Sequence, residues 1–489
     1  YQIVDKHPIR VIQKPSFFET KISHIAYLWV LNHKGMLCRI LILLMTSNFL
    51  LGQTFYRGAD LSYVNEMQDC GVVYKKEGKA IDPYVLFAEE GCQLVRLRLW
   101  HNPSWYSAIN QGKMYSNTQD VSRSIKRAKQ EGMKVLLDFH LSDNWADPSK
   151  QLVPAAWAPV VNNTNVLKDS VYNYIYKTLM DLDAQGLLPD MVQVGNETNR
   201  GIVLSAEDNA KFTLEWPRNA ILFNAGLKAV RDAAQHSQQD IISIIHLADP
   251  SEAGWLAEAF TKNGVTDYDV IGLSYYWAWH KPKTIQDAAQ AIKTLKQKYN
   301  KEVMILETGY IWTLASNDLA NNIINEVHPS YAPPSVNAQY RWLKDLSNAA
   351  QQAGGMGVLY WEPAWVSSSC STQWGKGSHQ ENATFFDFNT NAQAEGGFKW
   401  LRDGKITQTS DEDANVFMQF DSITKSIHFV QSVTGRIAVH SVDGKLLFQS
   451  DLKGEDAIQL PPALHGLCII SVQSEKTGPT SKSITVYLP

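Results

Sequence analysis

Hydrophobic and polar residues follow two rhythms that alternate along the chain. Short apolar runs, rich in β-branched and aromatic residues, are separated by stretches in which apolar residues recur every three or four positions. The first rhythm is typical of buried β-strands and the second of amphipathic α-helices. The strand-like runs are FYRGAD from residue 55, LVRLRLW from 94, KVLLDFH from 134, DMVQVGNE from 190, IISIIH from 241, YDVIGLSYY from 268, EVMILE from 302 and GVLYWEP from 357.

Helical patterns fill the intervals between these runs, for example DVSRSIKRAKQEGMKV from residue 120 and TIQDAAQAIKTLKQKYNKEV from 284. Strand and helix alternating eight times predict an α/β fold in which parallel strands close a (β/α)8 TIM barrel over residues 53–404. An open doubly wound sheet is the alternative. That fold carries a glycine-rich phosphate turn after its first strand, whereas this chain has RGADLSYVNE there.

The composition changes after Trp400. A polar, acidic stretch predicts a linker over residues 405–413, and short alternating runs follow it. These runs predict a small all-β sandwich domain over residues 414–489.

The N-terminal sequence predicts that a secretory signal peptide is cleaved from the protein. Residues 36–52, MLCRILILLMTSNFLLG, combine a basic residue with an apolar run too short to span a bilayer, which is typical of a secretory signal peptide. We expect cleavage after Gly52, and a mature protein with no membrane span. Residues 1–35 show no sustained period, so we expect them to be non-native upstream sequence or disordered.

Cysteine content fits secretion without a disulfide framework. Cys70, Cys92, Cys370 and Cys468 follow the predicted cleavage point, at spacings that match no zinc site. These four cysteines allow one disulfide bond.

Charge excludes one class of partner. The net charge is −4 and basic residues do not cluster, so nothing indicates nucleic-acid binding. The 15 Trp and 20 Tyr residues offer flat apolar faces that suit sugar rings, although they serve equally well as core filling.

The strand-like runs end on polar and aromatic residues, which a barrel would gather at one mouth. These residues are Asp60, Arg96, Arg98, His140, Asn196, Glu197, His246, Tyr275, Tyr276, Glu307, Trp361 and Glu362. Two carboxylates facing one cleft are what glycosidic cleavage requires, and Glu197 with Glu307 is the best pair. The alternative for Glu197 is a helix cap, and Arg96 and His140 could serve a structural carboxylate.

Several motifs together resemble glycoside hydrolase family 53, the endo-β-1,4-galactanases. They are FYRGADLSYV, VRLRLWHNP, LLDFHLSDNWADP, VQVGNE, IGLSYYWAWH and YWEPAW. More broadly, NE after the fourth strand and ETGY after the seventh resemble the acid/base and nucleophile positions of the retaining β-glycanase clan with (β/α)8 barrels. HLSDNWADP in combination with RGAD is the specific part, and the resemblance covers almost all of residues 55–400.

The resemblance implies Glu197 as general acid/base and Glu307 as nucleophile in a retaining double displacement that needs no cofactor. The implied substrate is β-1,4-galactan in the side chains of pectin. The implied substrate-binding residues are Arg96, Arg98, His140, Asn196, Tyr275 and Trp361. Among them, Asn196 is expected to contact the sugar 2-hydroxyl, and Trp361 to form a platform. Trp145, Trp277 and Trp365 are either outer subsites or ordinary packing.

A structural calcium ion is left open. Bacterial members of the family can hold one near the loops after the seventh and eighth strands. Lys281 and Lys283 disfavour such a site in one neighbouring loop, whereas Glu381, Asn382 and Asp387 offer oxygens.

The C-terminal region resembles the sorting domains read by the type IX secretion machinery, on GRIAVHSVDGKLLFQSDL and LPPALHGLCIISVQSEKTGPTSKSITV. The resemblance implies a secreted or cell-surface protein that passes through the periplasm. A carbohydrate-binding module is the alternative, although no Trp follows Trp400 to provide a stacking platform.

Two rival functions stay open. A mannanase or xylanase could use the same barrel and the same carboxylate pair. A catalytically silent glycan-binding barrel could keep the aromatic residues, but the presence of both carboxylates argues against it.

Overall fold

The computed structural model describes residues 55–211, 214–404, 418–421, 425–441, 444–474 and 481–488. The predicted signal peptide at 36–52, the upstream residues 1–35 and the linker at 405–413 lie outside the described residues.

Eight parallel strands close a barrel. They are β1 (Tyr56–Asp60), β2 (Leu94–Leu99), β3 (Lys134–Phe139), β4 (Met191–Val194), β5 (Ile242–Ala248), β6 (Val270–Ser274), β7 (Glu302–Glu307) and β8 (Gly357–Tyr360). Each strand pairs with the next along the chain, and β8 pairs with β1. The predicted barrel is confirmed, and the open doubly wound sheet was the wrong alternative.

Helices occupy the intervals between the strands. They are α1 (Val64–Asp69), α2 (Pro83–Glu89), α3 (Ser104–Ile109), α4 (Thr118–Gln130), α5 (Thr164–Asp183), α6 (Ala206–Lys211), α7 (Arg218–Ser237), α8 (Pro250–Lys262), α9 (Ile285–Tyr299) and α10 (Val336–Gln352). Residues 395–404 are also helical, and short 3-10 helices cover Ala155–Val160, Pro329–Tyr331 and Glu381–Ala383. Local chemistry sets several starts: Thr284 and Asp287 form a capping box at α9.

The barrel interior has two layers, because residues two apart on a strand face the same side. The lower layer is apolar and buried, and we define it as Tyr56, Leu94, Leu136, Met191, Ile244, Val270, Met304, Met356 and Leu359. The upper layer lies nearer the carboxyl ends of the strands, and we define it as Arg96, Asp138, Gln193 and His246. These four side chains are also buried, although all are polar or charged.

The C-terminal strands form an antiparallel sheet of five strands. They are β9 (Met418–Asp421), β10 (Ser426–Ser441), β11 (Leu446–Gln459), β12 (Gly466–Ser474) and β13 (Ser481–Leu488). The long β10 pairs with β9, β11 and β12, and its register with β11 shifts between His428 and Val433. Buried residues such as Ile437, Val439 and Ile470 give this region its own core. The all-β character of the region is therefore confirmed.

One disulfide joins Cys70, directly after α1, to Cys370 in the loop after β8, across 300 positions of sequence. Cys92 and Cys468 are free and buried. Within the described part of the chain, no helix is both long and apolar enough to cross a membrane.

Candidate active site

A cleft of about 650 Å³ opens at the carboxyl ends of the barrel strands. Residues on or after all eight strands line it: Asp60, Arg96, Arg98, His140, Trp145, Ala146, Asp147, Pro148, Asn196, Glu197, Ala248, Tyr276, Trp279, His280, Glu307, Asn321, Asn322, Ile323, Trp361, Trp365, Trp374 and His379. The cleft thus brings together both predicted catalytic glutamates and every predicted substrate-binding residue except Tyr275.

Arg96 is the electrostatic centre of the site. Its Nη1 lies 2.8 Å from Glu307 Oε1 and 2.9 Å from Asp60 Oδ2. Its Nη2 lies 2.7 Å from Asp138 Oδ2. A buried guanidinium with three carboxylate neighbours stays charged and fixes their orientation. Of the two strand-β2 arginines, Arg96 is therefore the one that reaches Glu307.

Arg98 takes a different partner. Its Nη1 lies 3.2 Å from Glu362 Oε1, and its guanidinium packs 4.1 Å from the ring centroid of Trp145. Burial and the adjacent Asp60 carboxylate raise the pKa of Glu362 well above its ordinary range. Glu362 is completely buried, so it lies behind the cleft wall rather than in the cleft.

Asn196 is held by neighbours on both sides of its amide. Its Oδ1 accepts hydrogen bonds from Arg96 Nη2 at 2.7 Å and Gln193 Nε2 at 3.1 Å. Its Nδ2 donates to the carbonyl oxygen of Ala146 at 2.8 Å. One N–H of the amide is left for a ligand in the cleft.

His140 supports the site through Asp138. Its Nδ1 accepts from the backbone N–H of Ala146 at 3.2 Å, so its Nε2 carries the proton and donates to Asp138 Oδ2 at 3.1 Å. Burial lowers the pKa of His140 and keeps the ring neutral. Although burial alone would raise it, Arg96 and His140 hold the pKa of Asp138 below its ordinary value.

The two glutamates face each other. An oxygen of Glu197, an oxygen of Glu307 and a ring nitrogen of His246 all lie within 4.8 Å of one another. The hydroxyl of Tyr276 donates to Glu307 Oε2 at 3.1 Å.

Their environments separate their pKa values. Burial raises the pKa of Glu197 to about 8, and the charge of Glu307 adds to that rise. Burial also raises the pKa of Glu307, to about 7, while Arg96 opposes the rise. When the pair holds a single negative charge, Arg96 favours that charge on Glu307. Glu197 keeps the proton.

The same three groups could in principle hold a metal ion, but their hydrogen bonds do not require one. His246 Nδ1 lies 3.1 Å from Gln193 Nε2, and His246 Nε2 lies 3.0 Å from Ser274 Oγ. Both ring nitrogens are thus engaged. The Arg96 cation beside Glu307 also disfavours a second cation at this position.

The residues after β6 reveal which of two adjacent tyrosines belongs to the site. Tyr275 points away from the cleft: its hydroxyl donates to the carbonyl of Lys283 at 2.9 Å, and its ring stacks on Trp342. Tyr276 lines the cleft instead. Successive residues in an extended segment face opposite sides, so only one of the two tyrosines can face Glu307.

Of the four tryptophans predicted to bind substrate or to fill the core, three line the cleft and one does not. Trp361 and Trp145 line the cleft, as does Trp365, which is fully buried and stacks on Tyr63 with ring centroids 3.9 Å apart. Trp277 is not a lining residue, and it packs on His328.

Sequence reasoning missed two exposed tryptophans and part of the upper layer. Trp279 and Trp374 line the cleft and are 48% and 56% exposed. Asp138 and Gln193 interrupt otherwise apolar strands. Their side chains face the inside of the barrel, as that of Arg96 does. A polar residue at an inward position of a buried strand was the available signal for these two.

Backbone conformation at the mouth is unusual. Leu141, Glu197, Asp249 and Glu362 follow β3, β4, β5 and β8, and their φ angles are 53°, 46°, 62° and 48°. Residues other than glycine seldom adopt this left-handed region. The chain therefore turns sharply at four of the strand exits.

The oxygens considered for calcium serve protein hydrogen bonds. Glu381 accepts from the backbone N–H of Asn317 at 2.6 Å and from the hydroxyl of Ser367. Asp387 accepts from the backbone N–H of Asn389 at 2.7 Å. Asn382 Oδ1 is buried with no hydrogen-bond partner among the described residues, but Ca²⁺ takes about six to eight oxygens. The calcium ion stays a prediction.

Comparison with known proteins agrees with this geometry. Residues 56–395 match the family described as "Glycosyl hydrolase family 53". The chain is 50% identical over 336 residues to the arabinogalactan endo-beta-1,4-galactanase of Cellvibrio japonicus, covering 68% of this chain and 86% of the relative. It is 36% identical over 333 residues to the endo-beta-1,4-galactanase of Bacillus subtilis, covering 66% of this chain and 73% of that relative.

The solved catalytic domain of a family 53 protein from Ignisphaera aggregans superposes with a TM-score of 0.64 at 32% identity, covering 72% of this chain and 96% of that one. The chain therefore belongs to glycosyl hydrolase family 53 and is a glycosidase.

Proposed function

We propose that this protein is a secreted, endo-acting, retaining galactanase that cleaves β-1,4-galactosidic bonds in the galactan and arabinogalactan side chains of pectin. The observation that carries the proposal is the Glu197–Glu307 pair, held within 4.8 Å beside Arg96 in the cleft. The names of two relatives, both endo-β-1,4-galactanases, support the substrate.

The spacing of the pair favours retention. Retaining glycosidases place their carboxyl groups about 5–5.5 Å apart, whereas inverting enzymes leave about 6.5–9.5 Å for a water molecule. Oxygens of Glu197 and Glu307 lie within 4.8 Å, which leaves little room for that water.

The first step follows from the two pKa values. Charged Glu307 attacks the anomeric carbon and forms a glycosyl ester, while Glu197 gives its proton to the departing glycosidic oxygen. Arg96 and Tyr276 orient the attacking carboxylate.

In the second step Glu197, now charged, takes a proton from water. As this proton is transferred, the water oxygen attacks the anomeric carbon and the ester bond to Glu307 breaks. We expect the remaining amide N–H of Asn196 to contact the 2-hydroxyl in both transition states.

Product analysis tests the activity. The purified protein is incubated with galactan, mannan and xylan, and the early products are sized. Short oligosaccharides from galactan support endo attack, and galactose alone would mean exo attack. Hydrolysis of mannan or xylan in place of galactan would favour the rival enzymes, and hydrolysis of no β-glycan would favour a silent binding protein.

Stereochemistry is read separately by proton NMR of the first-formed anomer. A β-product that later mutarotates supports retention. An α-product would contradict the two-step mechanism.

We propose that two segments, one near each end of the chain, direct the protein out of the cell. Residues 36–52 are proposed to direct export, and residues 414–489 to direct passage from the periplasm to the outside. Deleting residues 414–489 should leave galactan hydrolysis intact in purified protein, because the barrel carries the whole site. In the native host the truncated enzyme should stay in the periplasm. Normal release of the truncated protein would remove the sorting role.

A further inference from the structure

Two buried carboxyl groups meet at the wall of the cleft. Asp60 ends β1, and Glu362 follows β8, the strand that pairs with β1. Their side chains are hydrogen-bonded to each other, and both residues are completely buried. Two ionised carboxylates cannot form this bond, because a carboxylate has no proton to donate. One of the two groups therefore carries a proton.

The neighbours of each group indicate that the proton is on Glu362. Asp60 Oδ2 accepts from Arg96 Nη1 at 2.9 Å, and its Oδ1 accepts from the backbone N–H and the hydroxyl of Ser62 at 3.0 and 2.5 Å. Glu362 accepts from Arg98 Nη1 and from one backbone N–H, both at 3.2 Å. The group with more and shorter contacts from donors is better stabilised as an anion. Asp60 is therefore the carboxylate, and Glu362 is the acid.

The surrounding charges favour the same assignment. The carboxyl groups of this network outnumber its guanidinium groups by four to two: Asp60, Asp138, Glu307 and Glu362 surround Arg96 and Arg98. The phenols that face Glu362, those of Tyr63 and Tyr74, are neutral because burial raises their pKa. An excess of buried negative charge is costly, and a proton on one carboxyl group reduces it.

Asp60 connects Glu362 to the proposed nucleophile through a single nitrogen atom. Nη1 of Arg96 lies 2.9 Å from Asp60 Oδ2 and 2.8 Å from Glu307 Oε1. This nitrogen carries two hydrogens, so one N–H points to Asp60 and the other is left for Glu307. The position of Asp60 therefore helps to set the direction of the N–H that contacts Glu307.

We propose that Glu362 is a positioning residue that acts as a neutral acid: it donates a hydrogen bond to Asp60, and Asp60 in turn fixes Arg96 against Glu307. This inference rests on the proposed function and deepens it. Glu362 does not line the cleft, so it acts through Asp60 rather than on the substrate. Its hydrogen bond stabilises the charge of Asp60, and that charge then acts less strongly on Glu307.

The pH dependence of kcat/KM tests this role, because its acidic limb reports the ionisation of Glu307. The charged and titratable groups that face Glu307 are Arg96, Asp60, Asp138, Tyr276 and Glu197. Glu362→Gln keeps a neutral donor, so the acidic limb should not move and kcat/KM should stay close to that of the wild type. Glu362→Ala removes the donor, while Arg96 and Ser62 keep Asp60 charged. The pKa of Glu307 should then rise, and the acidic limb should move to higher pH by about 0.5–1 unit.

A charged Glu362 would give the opposite sign. Either substitution would then remove a negative charge near Glu307, lower its pKa and move the acidic limb to lower pH. A shift in Glu362→Gln in either direction would overturn the proposal. So would an acidic limb that stays in place or moves to lower pH in Glu362→Ala.

Glu66→Ala is the matched control. Glu66 is also buried, its carboxyl accepts a hydrogen bond from Tyr106, and it does not line the cleft. This variant should leave the acidic limb in place. A shift equal to that of Glu362→Ala would mean that the loss of any buried carboxyl group has this effect, and it would overturn the positioning role.

Infrared spectroscopy tests the proton without any substrate. At neutral pH the wild type should show a C=O stretching band of a protonated carboxyl group that Glu362→Gln lacks, and the contribution of Glu197 cancels in the difference spectrum. An unchanged band would overturn the proposal. If Glu362→Ala does not fold, the spectrum and the pH profile of Glu362→Gln still decide the question.

The infrared result also separates this inference from the proposed function, because it requires no turnover. A protein that shows the band but does not hydrolyse galactan would refute the proposed substrate alone. The pH profiles are then measured on the β-glycan that the protein does cleave.

Discussion

The two layers inside the barrel differ in chemistry although they share the same strands. Leu136 and Met191 in the lower layer, and Asp138 and Gln193 in the upper layer, are all fully buried. Two residues along a strand, about 7 Å, separate an apolar core from a network of charges. The comparison shows that burial alone does not define a core, because one layer excludes polar groups and the other organises them.

The upper layer retains its charges because each has a partner. Arg96 contacts three carboxylates, and Asp138 also receives His140 and Gln193. Removing such groups from water costs free energy that pairing offsets only in part. We therefore expect the lower layer to stabilise the fold and the upper layer to perform the chemistry, and substitutions in or beside each layer test this division.

Glu307→Ala should have the largest effect. It removes the proposed nucleophile, so turnover should fall by at least about 10⁴-fold. The fold should persist because Arg96 keeps Asp60 and Asp138 as partners. Added azide should restore cleavage with inverted configuration, which gas or liquid chromatography and NMR of the glycosyl azide can detect. Retained configuration in the rescued product would show that another group acts as the nucleophile.

Glu197→Gln should have the next largest effect. Without the proton donor, hydrolysis of galactan should fall by about 10²–10⁴-fold. A dinitrophenyl glycoside needs no protonation of its leaving group, so its first-step cleavage should survive. In the wild type, kcat should fall as pH rises above about 8, where Glu197 loses its proton. Hydrolysis of galactan at the wild-type rate by the variant would favour the helix-capping interpretation.

The same carboxyl links stability to pH. Burial raises the pKa of Glu197 from an ordinary 4.5 to about 8, so between these values the folded protein binds more protons than the unfolded chain. The free energy of unfolding should therefore decrease as pH rises through that window. Glu197→Gln removes this titration, and denaturant titrations at several pH values should give a shallower slope. An identical slope in both proteins would contradict the raised pKa.

Met304→Ala tests the lower layer. Deleting a buried Met side chain typically costs about 2–5 kcal/mol. The free energy of unfolding should fall by that amount, while the folded fraction keeps its kcat and its pH profile. Urea denaturation measures the loss of stability, and activity assays at low denaturant concentration measure kcat and the pH profile. A changed pH profile would mean that the layers are not independent.

Tyr276→Phe should have the smallest effect. It removes one hydrogen bond to Glu307 and leaves the ring in place. A bond to a charged group contributes about 1.5–3 kcal/mol, so kcat/KM should fall roughly 10- to 100-fold, with little change in stability. Tyr275→Phe is the control, because that hydroxyl contacts only the carbonyl of Lys283 among the described residues. Equal losses in the two variants would contradict the assignment of Tyr276.

The barrel, and the convergence of Glu197 and Glu307 in one cleft, could be predicted from sequence because both depend on local patterns and on topology. The run KVLLDFH, for example, predicts a strand, and the structure has Lys134–Phe139. Glu197 and Glu307 were predicted because the carboxyl ends of barrel strands converge by topology. Topology does not give the rotation of residues past the end of a strand, which is why Tyr275 was selected and Tyr276 was not.

Trp374 could not be predicted for a different reason. It lies in an aperiodic loop after β8, and that loop is bonded through Cys370 to Cys70, a residue 300 positions earlier in the sequence. The four cysteines after the predicted signal peptide allow several pairings, and sequence alone does not choose among them.

The left-handed backbone at the strand exits has a consequence for protein design. A residue other than glycine or asparagine in that conformation lowers stability by about 1 kcal/mol or more, and Glu197 adopts it with a φ of 46°. A selection or design procedure that rewards stability alone would therefore replace Glu197 with glycine or asparagine. It would improve the scaffold and delete the proposed proton donor in a single step.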